Sequence, residues 1–333
     1  MKVGTAMKLH SLPSSDRTAA CDLCQATSFR LVGTKDRRGD GLQTVICETC
    51  GLVSHERIPT DSELNEYYAA EYRQDYHGEF MPSPHRVVRA WEGANWLYDR
   101  LANYLPPAAH VFEIGAGIGC TVKRFALGGF HAEGIEPGVG FSEFARNQLH
   151  AEVRPDWLFD LNLNSPQDLI LLVHVIEHFQ SPRHALETIH QFLKPDGLLY
   201  VECPNVAGPH AAPGKQFHFA HIYNFAPHTL EMLAQSCGYA IEERIPVDGE
   251  LTLRYLLRRS DTTNLQLQPQ AAQTTLDGMF RYNTLSYHMR PSYWGKRMLR
   301  DIRFARQRLT ARTQLQQILQ QCRQVNSNLR RAA

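Results

Sequence analysis

The feature that most constrains the fold is a short apolar run with three closely spaced glycines after it, within residues 110–119. The run at 111–114 suits a buried parallel strand. The glycines occupy alternate positions: Gly115, Gly117 and Gly119. Glycines at a strand end let the backbone turn sharply into a helix and let a ligand approach the backbone. Residues 120–127 read as that helix, so the sequence predicts a strand–loop–helix unit of an α/β fold.

Two carboxylates frame this loop. Glu113 precedes the first glycine by two residues, and Glu136 ends a second apolar run at 132–135. An acid at the tip of the second strand can accept hydrogen bonds from both hydroxyls of a ribose. The Gly-x-Gly-x-Gly spacing differs from the Gly-x-Gly-x-x-Gly spacing of dinucleotide sites, and Glu113 would repel a pyrophosphate. The pair of acids instead favours a ligand that carries an ammonium and a sulfonium.

S-adenosylmethionine (SAM) is such a ligand, and this stretch resembles motif I of the class I SAM-dependent methyltransferases. The resemblance implies that Glu136 binds the ribose. Residues 168–202 carry a strand, His-Val-Ile-Glu-His, a helix, Leu-Lys-Pro-Asp-Gly and a further strand, and this run resembles the second half of the same core. The expected fold class is therefore α/β, with a Rossmann-like seven-stranded class I methyltransferase sheet, an N-terminal zinc ribbon and a C-terminal helical extension.

The same resemblance implies further contacts with SAM. Asp156 and Trp157 follow a short third strand, where the family contacts adenine: the carboxylate would accept from the exocyclic amine and the indole would lie against the ring. Asp160 is a rival for Asp156. In an open α/β sheet, ligands bind beyond the carboxyl ends of the strands, where Asn205 is also expected. The expected cofactor-binding residues are Glu113, Gly115, Gly117, Gly119, Glu136, Asp156, Trp157 and His174.

Two Cys-x-x-Cys pairs lie near the N-terminus, with 22 residues between them: Cys21, Cys24, Cys47 and Cys50. The segment 29–46 between them reads as strand, polar turn and strand. Pairs at this separation fit a tetrahedral four-thiolate zinc site that joins two hairpins. A redox pair or free thiols are the alternatives. Because all four ligands come from the protein, we expect a structural Zn²⁺ with no open position.

The length of 333 residues accommodates one α/β domain with appendages, and the formal net charge of +1 excludes neither a small substrate nor a polymer. No apolar stretch approaches the roughly twenty residues needed to span a bilayer, and residues 1–20 lack a secretory apolar core. A cytoplasmic protein is expected. The expected boundaries are a flexible N-terminus 1–20, a zinc ribbon 21–58, a helical connector 59–105, a methyltransferase core 106–258 with a lid 206–225, and a linker with a basic helix 259–333.

The C-terminal segment 291–329 has a helical apolar stripe: Trp294, Met298, Ile302, Ala305 and Leu309. Basic residues surround it, opposed only by Asp301: Lys296, Arg297, Arg300, Arg303, Arg306, Arg308 and Arg312. Such a helix can contact nucleic acid, an anionic membrane surface or a protein partner. We favour a solvated helix that packs on its own protein or on a second copy, which would make a homo-oligomer.

Candidate catalytic residues follow the later strands. SAM brings the reactivity, so the protein has to align the acceptor and, for a hydroxyl, supply a base. Histidine titrates near neutral pH and suits that role. The candidates are His178, His218 and His221, with Tyr223 as an orienting group. The sequence shows no acidic cluster for magnesium, so a metal-assisted mechanism is not expected.

The ribbon, a tyrosine-rich connector (Tyr67, Tyr68, Tyr72 and Tyr76) and the core together resemble zinc-ribbon methyltransferases that act on sugars, over residues 21–258. Residues 217–221 read Phe-His-Phe-Ala-His, where the nucleotide-deoxysugar C-methyltransferases have Tyr-His-Glu-His, so O-methylation is at least as well supported. The predicted function is methyl transfer to a small hydroxylated acceptor such as a sugar or glycan-pathway intermediate. One alternative is an rRNA or tRNA base methyltransferase that uses the basic helix. The other is a non-catalytic SAM-binding scaffold.

Overall fold

A computed structural model describes residues 7–17, 19–60, 63–64, 81–209 and 211–332. The chain divides into two compact units. The first unit comprises Met1–Asp61, Leu172–Gln191 and Leu198–Trp294; the second comprises Ser62–Leu171, Phe192–Gly197 and Gly295–Ala333. The tyrosines of the predicted connector lie outside the described residues.

Strands and helices alternate through the middle of the chain. The strands are β1 (Phe29–Lys35), β2 (Gly41–Cys47), β3 (Val53–His55), β4 (His110–Ile114), β5 (His131–Ile135), β6 (Val153–Arg154), β7 (Gln167–Val173), β8 (Leu193–Pro204), β9 (Tyr223–Asn224), β10 (Tyr239–Arg244) and β11 (Thr252–Arg259). The α-helices are α1 (Pro84–Leu101), α2 (Cys120–Leu127), α3 (Val139–Phe144), α4 (Pro182–Phe192), α5 (Pro227–Ser236), α6 (Ala271–Met279), α7 (Thr284–His288) and α8 (Pro291–Ala332).

A seven-stranded sheet has the order β10-β11-β8-β7-β4-β5-β6. Strands β4, β5 and β6 are parallel, whereas β11 is antiparallel to both β8 and β10. Four consecutive residues of β7, Leu169 to Leu172, are completely buried, as expected for a central strand covered on both faces. This mixed sheet with helical connections is the Rossmann-like methyltransferase fold, and it confirms the predicted fold class.

A smaller antiparallel sheet has the order β1-β2-β3-β9. The predicted strand–turn–strand is present, and the Asp36 carboxylate accepts three backbone N–H groups within the turn. The chain before β1 also packs on this sheet. Ser14 forms a bridge with Arg30, and the buried Arg17 guanidinium donates to the Ser54 hydroxyl at 2.6 Å. Residues 14–17 therefore differ from the flexible N-terminus that the sequence predicts.

Other differences have local causes. Residues 194–197 are part of β8 and not a turn before it, and the Lys194 ammonium lies 2.8 Å from both oxygens of Asp168. The helix expected over 139–149 changes to a π-helical turn at Ala145–Leu149. The predicted linker 260–273 already contains the start of α6, whose Ala272 and Leu276 pack with Ile46 in one apolar cluster. The sequence did not predict this helix, because a composition rich in Gln and Thr is typical of a linker.

The long helix α8 exposes the apolar stripe that the sequence predicts. Trp294, Met298, Ile302 and Leu309 are between 57% and 86% exposed. Among its described side chains, the buried ones are Ala311, Ile318 and Cys322. These four side chains are therefore largely exposed to solvent in the described part of the chain. No helix in that part is both long and apolar enough to cross a membrane.

Candidate functional site

The glycine loop after β4 adopts a backbone that few other residues tolerate. Gly115, Gly117 and Gly119 have φ values of 72°, 53° and 78°. A Cβ atom added at Gly119 would lie 2.6 Å from the Cβ of Ala145, so this glycine is needed for packing. A Cβ at Gly117 would meet none of the described residues within 4 Å. Gly117 therefore borders open space, where a ligand can approach the backbone.

Glu136 follows β5 and is hydrogen-bonded to this loop. The carboxylate is 7% exposed, and its two oxygens accept the backbone N–H groups of Gly117 and Gly138, each at 2.8 Å. Each carboxylate oxygen can accept two hydrogen bonds. A carboxylate that the backbone holds in this way, at a loop that borders open space, has the chemistry to accept from the two hydroxyls of a ribose.

Glu113 is a buried acid in the same unit. It is 4% exposed, and its Oε2 atom accepts no hydrogen bond from the described residues. Burial, aided by the nearby charge of Glu136, raises its pKa to about 8. An acid in this state gains from a cationic ligand, which would satisfy the oxygen and stabilise the charge. The ammonium of SAM has the required chemistry.

The structure places the other residues predicted to contact SAM as follows. Asp156 lies after the short strand β6, 3.0 Å from the Nε atom of Arg154, and Trp157 is half-buried at the start of a 3-10 turn. Both positions agree with the predicted strand end, and contact with adenine stays a prediction. His174 has a φ of 55° and donates its backbone N–H to the Glu202 carbonyl.

The His174 imidazole is engaged by two acids. Its ring nitrogens lie 3.5 Å from Glu177 and 3.5 Å from Glu202, and its side chain is 48% exposed. Burial alone would lower its pKa, but the two carboxylates outweigh burial and raise the pKa to about 10. His174 is therefore a cation at neutral pH, and not a base.

Three histidines predicted as catalytic form one cluster in the first unit. The ring centroids of His178 and His221 are 5.0 Å apart, and those of His218 and His221 are 5.5 Å apart. Burial is the main cause that lowers the pKa of all three rings, to about 4 in the case of His218. The three rings are therefore neutral at physiological pH, as a proton acceptor or metal ligand needs to be.

Hydrogen bonds distinguish three of the four predicted catalytic residues. The Nδ1 atom of His178 lies 2.6 Å from the Ala220 carbonyl and donates to it, which leaves the lone pair on Nε2. The Nδ1 atom of His218 instead accepts the Ala220 N–H at 3.0 Å. The Tyr223 hydroxyl donates to the Gln180 carbonyl at 3.2 Å, and burial raises its pKa. Tyr223 thus has the geometry of an orienting group.

Two glutamates in this region were assigned no role from the sequence. Glu177 is 1% exposed, beside the histidine cluster, and Glu202 at the end of β8 accepts from Tyr200 and Arg254. Glu177 could have been recognised from its spacing, because it directly precedes His178 and follows His174 by three residues. No local pattern identifies Glu202, whose partners include a residue from a distant part of the sequence.

The four predicted zinc ligands are brought together. One sulfur atom from each of Cys21, Cys24, Cys47 and Cys50 lies within 4.8 Å of the others. The two pairs fold alike: the N–H of Gln25 donates to the Cys21 carbonyl at 2.9 Å, and that of Gly51 to the Cys47 carbonyl at 3.0 Å. Gln25 and Gly51 both have positive φ. These two equivalent turns give a four-thiolate cluster that could bind zinc.

Comparison with known proteins bears on the central part of the chain. Residues 88–244, slightly less than half of the chain, match a family model described as a methyltransferase domain. An uncharacterised protein of Mycobacterium tuberculosis is 28% identical over 125 residues, which cover 35% of this chain and 42% of that protein. A tRNA U34 carboxymethyltransferase of Aeromonas hydrophila is 27% identical over 201 residues, covering 55% of this chain and 60% of that protein.

Among solved structures, the magnesium protoporphyrin IX methyltransferase of Synechocystis PCC 6803 with bound SAM is similar at a TM-score of 0.43 and 13% identity, over 61% of this chain and 100% of that one. The chain spans between about two fifths and three fifths of the length of the two curated relatives. The matched residues include β4, the glycine loop and both acids beside it. Residues 88–244 are thus similar to a methyltransferase domain.

Proposed function

We propose that the protein is a SAM-dependent methyltransferase that acts on a small hydroxylated acceptor, such as a sugar. The observation that carries this proposal is the pair of buried acids at the glycine loop. Glu136 is held by two backbone N–H groups where the loop borders open space, and Glu113 has an unsatisfied oxygen. The ribose of SAM requires an acceptor for its hydroxyls and the ammonium requires an acid. A pyrophosphate would be repelled by the Glu136 carboxylate and would gain nothing from Glu113.

The residues of the chain would share the work of transfer. When bound, SAM supplies a methyl group on a positively charged sulfur. The chain would align the acceptor oxygen with that methyl group and supply a base that takes the proton of the acceptor hydroxyl. Among the predicted bases, the Nδ1 lone pair of His218 is occupied by a backbone N–H, whereas His178 donates through Nδ1 and would take up the proton at Nε2. His174, as a cation, would orient the acceptor. Tyr223, whose O–H donates to the Gln180 carbonyl, would orient it through the lone pairs of its oxygen.

A sugar-like acceptor is supported by the residue types of the first unit. Imidazole, imidazolium, carboxylate and phenol groups offer both donors and acceptors, which suit vicinal hydroxyls. The four-cysteine cluster would hold a structural Zn²⁺ through Cys21, Cys24, Cys47 and Cys50, with no open position for chemistry. These features support the resemblance to zinc-ribbon sugar methyltransferases.

Calorimetric titration of SAM tests the donor site directly. We expect Glu136→Ala to weaken SAM binding by about 100-fold, since charge-assisted hydrogen bonds to the ribose are lost. Glu133→Ala is the matched control, because Glu133 is an exposed acid on β5, the strand that Glu136 follows. Equal SAM affinity of Glu136→Ala and the wild type would remove the assignment. Untargeted analysis of methylated metabolites, with and without the protein, would then identify the acceptor.

A second candidate is methylation of a tRNA or rRNA base. It is favoured by the similarity to a tRNA U34 carboxymethyltransferase and by the exposed arginines of α8. These arginines are Arg297, Arg300, Arg303, Arg306 and Arg312. RNA affinity that falls steeply with salt, and that falls further when Arg303 and Arg306 are changed to Gln, would support it over the first candidate.

A further inference from the structure

We propose that Glu177, His178 and His221 bind a first-row divalent cation of the Mn²⁺, Co²⁺ or Zn²⁺ type, at a site separate from the four cysteines. The three side chains all belong to the first unit. The binding of the cation does not depend on the proposed function, but its role toward the acceptor does.

The three side chains converge. One ligand atom from each of Glu177, His178 and His221 lies within 4.8 Å of the other two. Donors bound to one cation at roughly 2.1 Å lie within about 4.2 Å of each other. Small side-chain movements are therefore enough to bring all three to coordination distance.

His178 carries its proton on Nδ1, as many metal-binding histidines do when they coordinate through Nε2. Its Nδ1–H donates to the Ala220 carbonyl at 2.6 Å, so Nε2 carries the lone pair and lies 3.9 Å from a Glu177 oxygen. Metal-binding histidines commonly donate their second ring N–H to a carbonyl in this way, which fixes the tautomer and the ring orientation. Residues 217–221 thus supply both His221 as a ligand and the carbonyl that orients His178.

Glu177 is a buried carboxylate that lacks hydrogen bonds from the described residues. It is 1% exposed, and neither of its oxygens has a hydrogen-bond partner among them. The nearest cationic group is the His174 ring, at 3.5 Å. Buried polar groups in proteins are almost always satisfied, so both oxygens indicate a missing partner. A cation between Glu177 and the two imidazoles would be that partner.

The donor set defines the class of cation and its use. Two imidazoles and one carboxylate suit first-row transition metals, whereas Mg²⁺ and Ca²⁺ prefer all-oxygen sites. Three protein ligands leave open positions for an acceptor hydroxyl, whose proton the cation would make easier to lose. With the cation bound at Nε2, His178 would act as a ligand and not as the base, and the proton would pass to solvent. The set is hard to recognise from the sequence, because it contains a single acid and not the acidic cluster that is expected of a magnesium site.

The test uses the full-length chain with its cysteine site first filled with Zn²⁺. Co²⁺ is then titrated while the visible and near-ultraviolet spectra are recorded. Nitrogen and oxygen ligands give weak visible bands, whereas displacement of zinc from the thiolates would give strong near-ultraviolet charge-transfer bands. We expect one equivalent of Co²⁺ with the weak bands alone, and at least tenfold weaker binding in Glu177→Gln and in His221→Gln. Glu133→Gln and His131→Gln, at exposed positions of β5, should bind as the wild type does.

The wild-type titration decides the proposal even if one variant fails to fold. Absence of Co²⁺ binding outside the thiolates, or equal affinity in both folded variants, would overturn it. SAM affinity measured on the same samples separates the two ideas. Cation binding without SAM binding would contradict the proposed function and support this metal site. SAM binding without cation binding would contradict the metal site and support the proposed function.

Discussion

Two buried glutamates with unsatisfied oxygens occupy very different surroundings. Glu113, beside the glycine loop, has the acid Glu136 nearby, and burial raises its pKa to about 8. Burial would also raise the pKa of Glu177, but the His174 imidazolium and the other neighbouring imidazoles lower it to about 2. Burial raises the pKa of both acids, and the charges of the neighbouring groups decide whether the final pKa is high or low. Glu113 therefore stays protonated up to about pH 8. Glu177 is ionised beside the His174 imidazolium, although its oxygens accept no hydrogen bond from the described residues.

The largest expected effect is on stability, with opposite signs at the two acids. The folded pKa of Glu113 lies above its ordinary value, so folding disfavours the ionised form and stability falls as pH rises from about 4.5 to 8. At pH 7 this amounts to about 3 kcal/mol. Glu113→Gln should therefore raise the free energy of unfolding at pH 7 and leave it almost unchanged at pH 4.

Glu177→Gln should instead lower the free energy of unfolding, by about 3 kcal/mol, because it leaves the His174 imidazolium without one of its two carboxylate partners. Urea denaturation of both variants at pH 4 and pH 7 provides the comparison. The same sign at both positions would show that the surroundings of the two acids do not differ as described.

A second prediction concerns the pH dependence of SAM binding. Glu113 has to be ionised to attract the ligand, so affinity in the wild type should rise with pH up to about 8. Glu113→Gln should bind SAM about 10- to 100-fold more weakly and lack this rise. Calorimetry between pH 6.5 and 9 measures both quantities, and the variant also corrects for titration of the SAM amine. Parallel pH profiles would contradict a role for Glu113.

The smallest effects concern Gly117 and Gly119, whose substitutions should differ in their effects on stability and on SAM binding. Gly119→Ala should lower the free energy of unfolding by about 2 kcal/mol, since its Cβ would collide with Ala145. Gly117→Ala should cost about 1 kcal/mol, from its positive φ alone, but should weaken SAM binding more than Gly119→Ala does. Thermal unfolding and SAM titration of both variants test this, and equal losses of SAM affinity would contradict it.

The sequence predicted most of what local pattern encodes. Residue spacing alone predicts three features. These are the glycine loop, the strand ends that carry Glu113 and Glu136, and the convergence of four cysteines. What it missed depends on distant partners: the burial of Arg17 against Ser54, the helix α6, and the position of Glu202 between Tyr200 and Arg254. The metal-binding role proposed for Glu177 was not predicted, because His178 and His221 were interpreted as candidate bases and not as ligands.

The most direct test of the account is to titrate SAM and NAD⁺ separately into the full-length protein and then in competition. The account predicts saturable binding of SAM at one site, weakened by Glu136→Ala and by Glu113→Gln, with no competition from NAD⁺. Binding of NAD⁺ that Glu113→Gln strengthens, together with no binding of SAM, would show that the loop serves a pyrophosphate and would contradict the account.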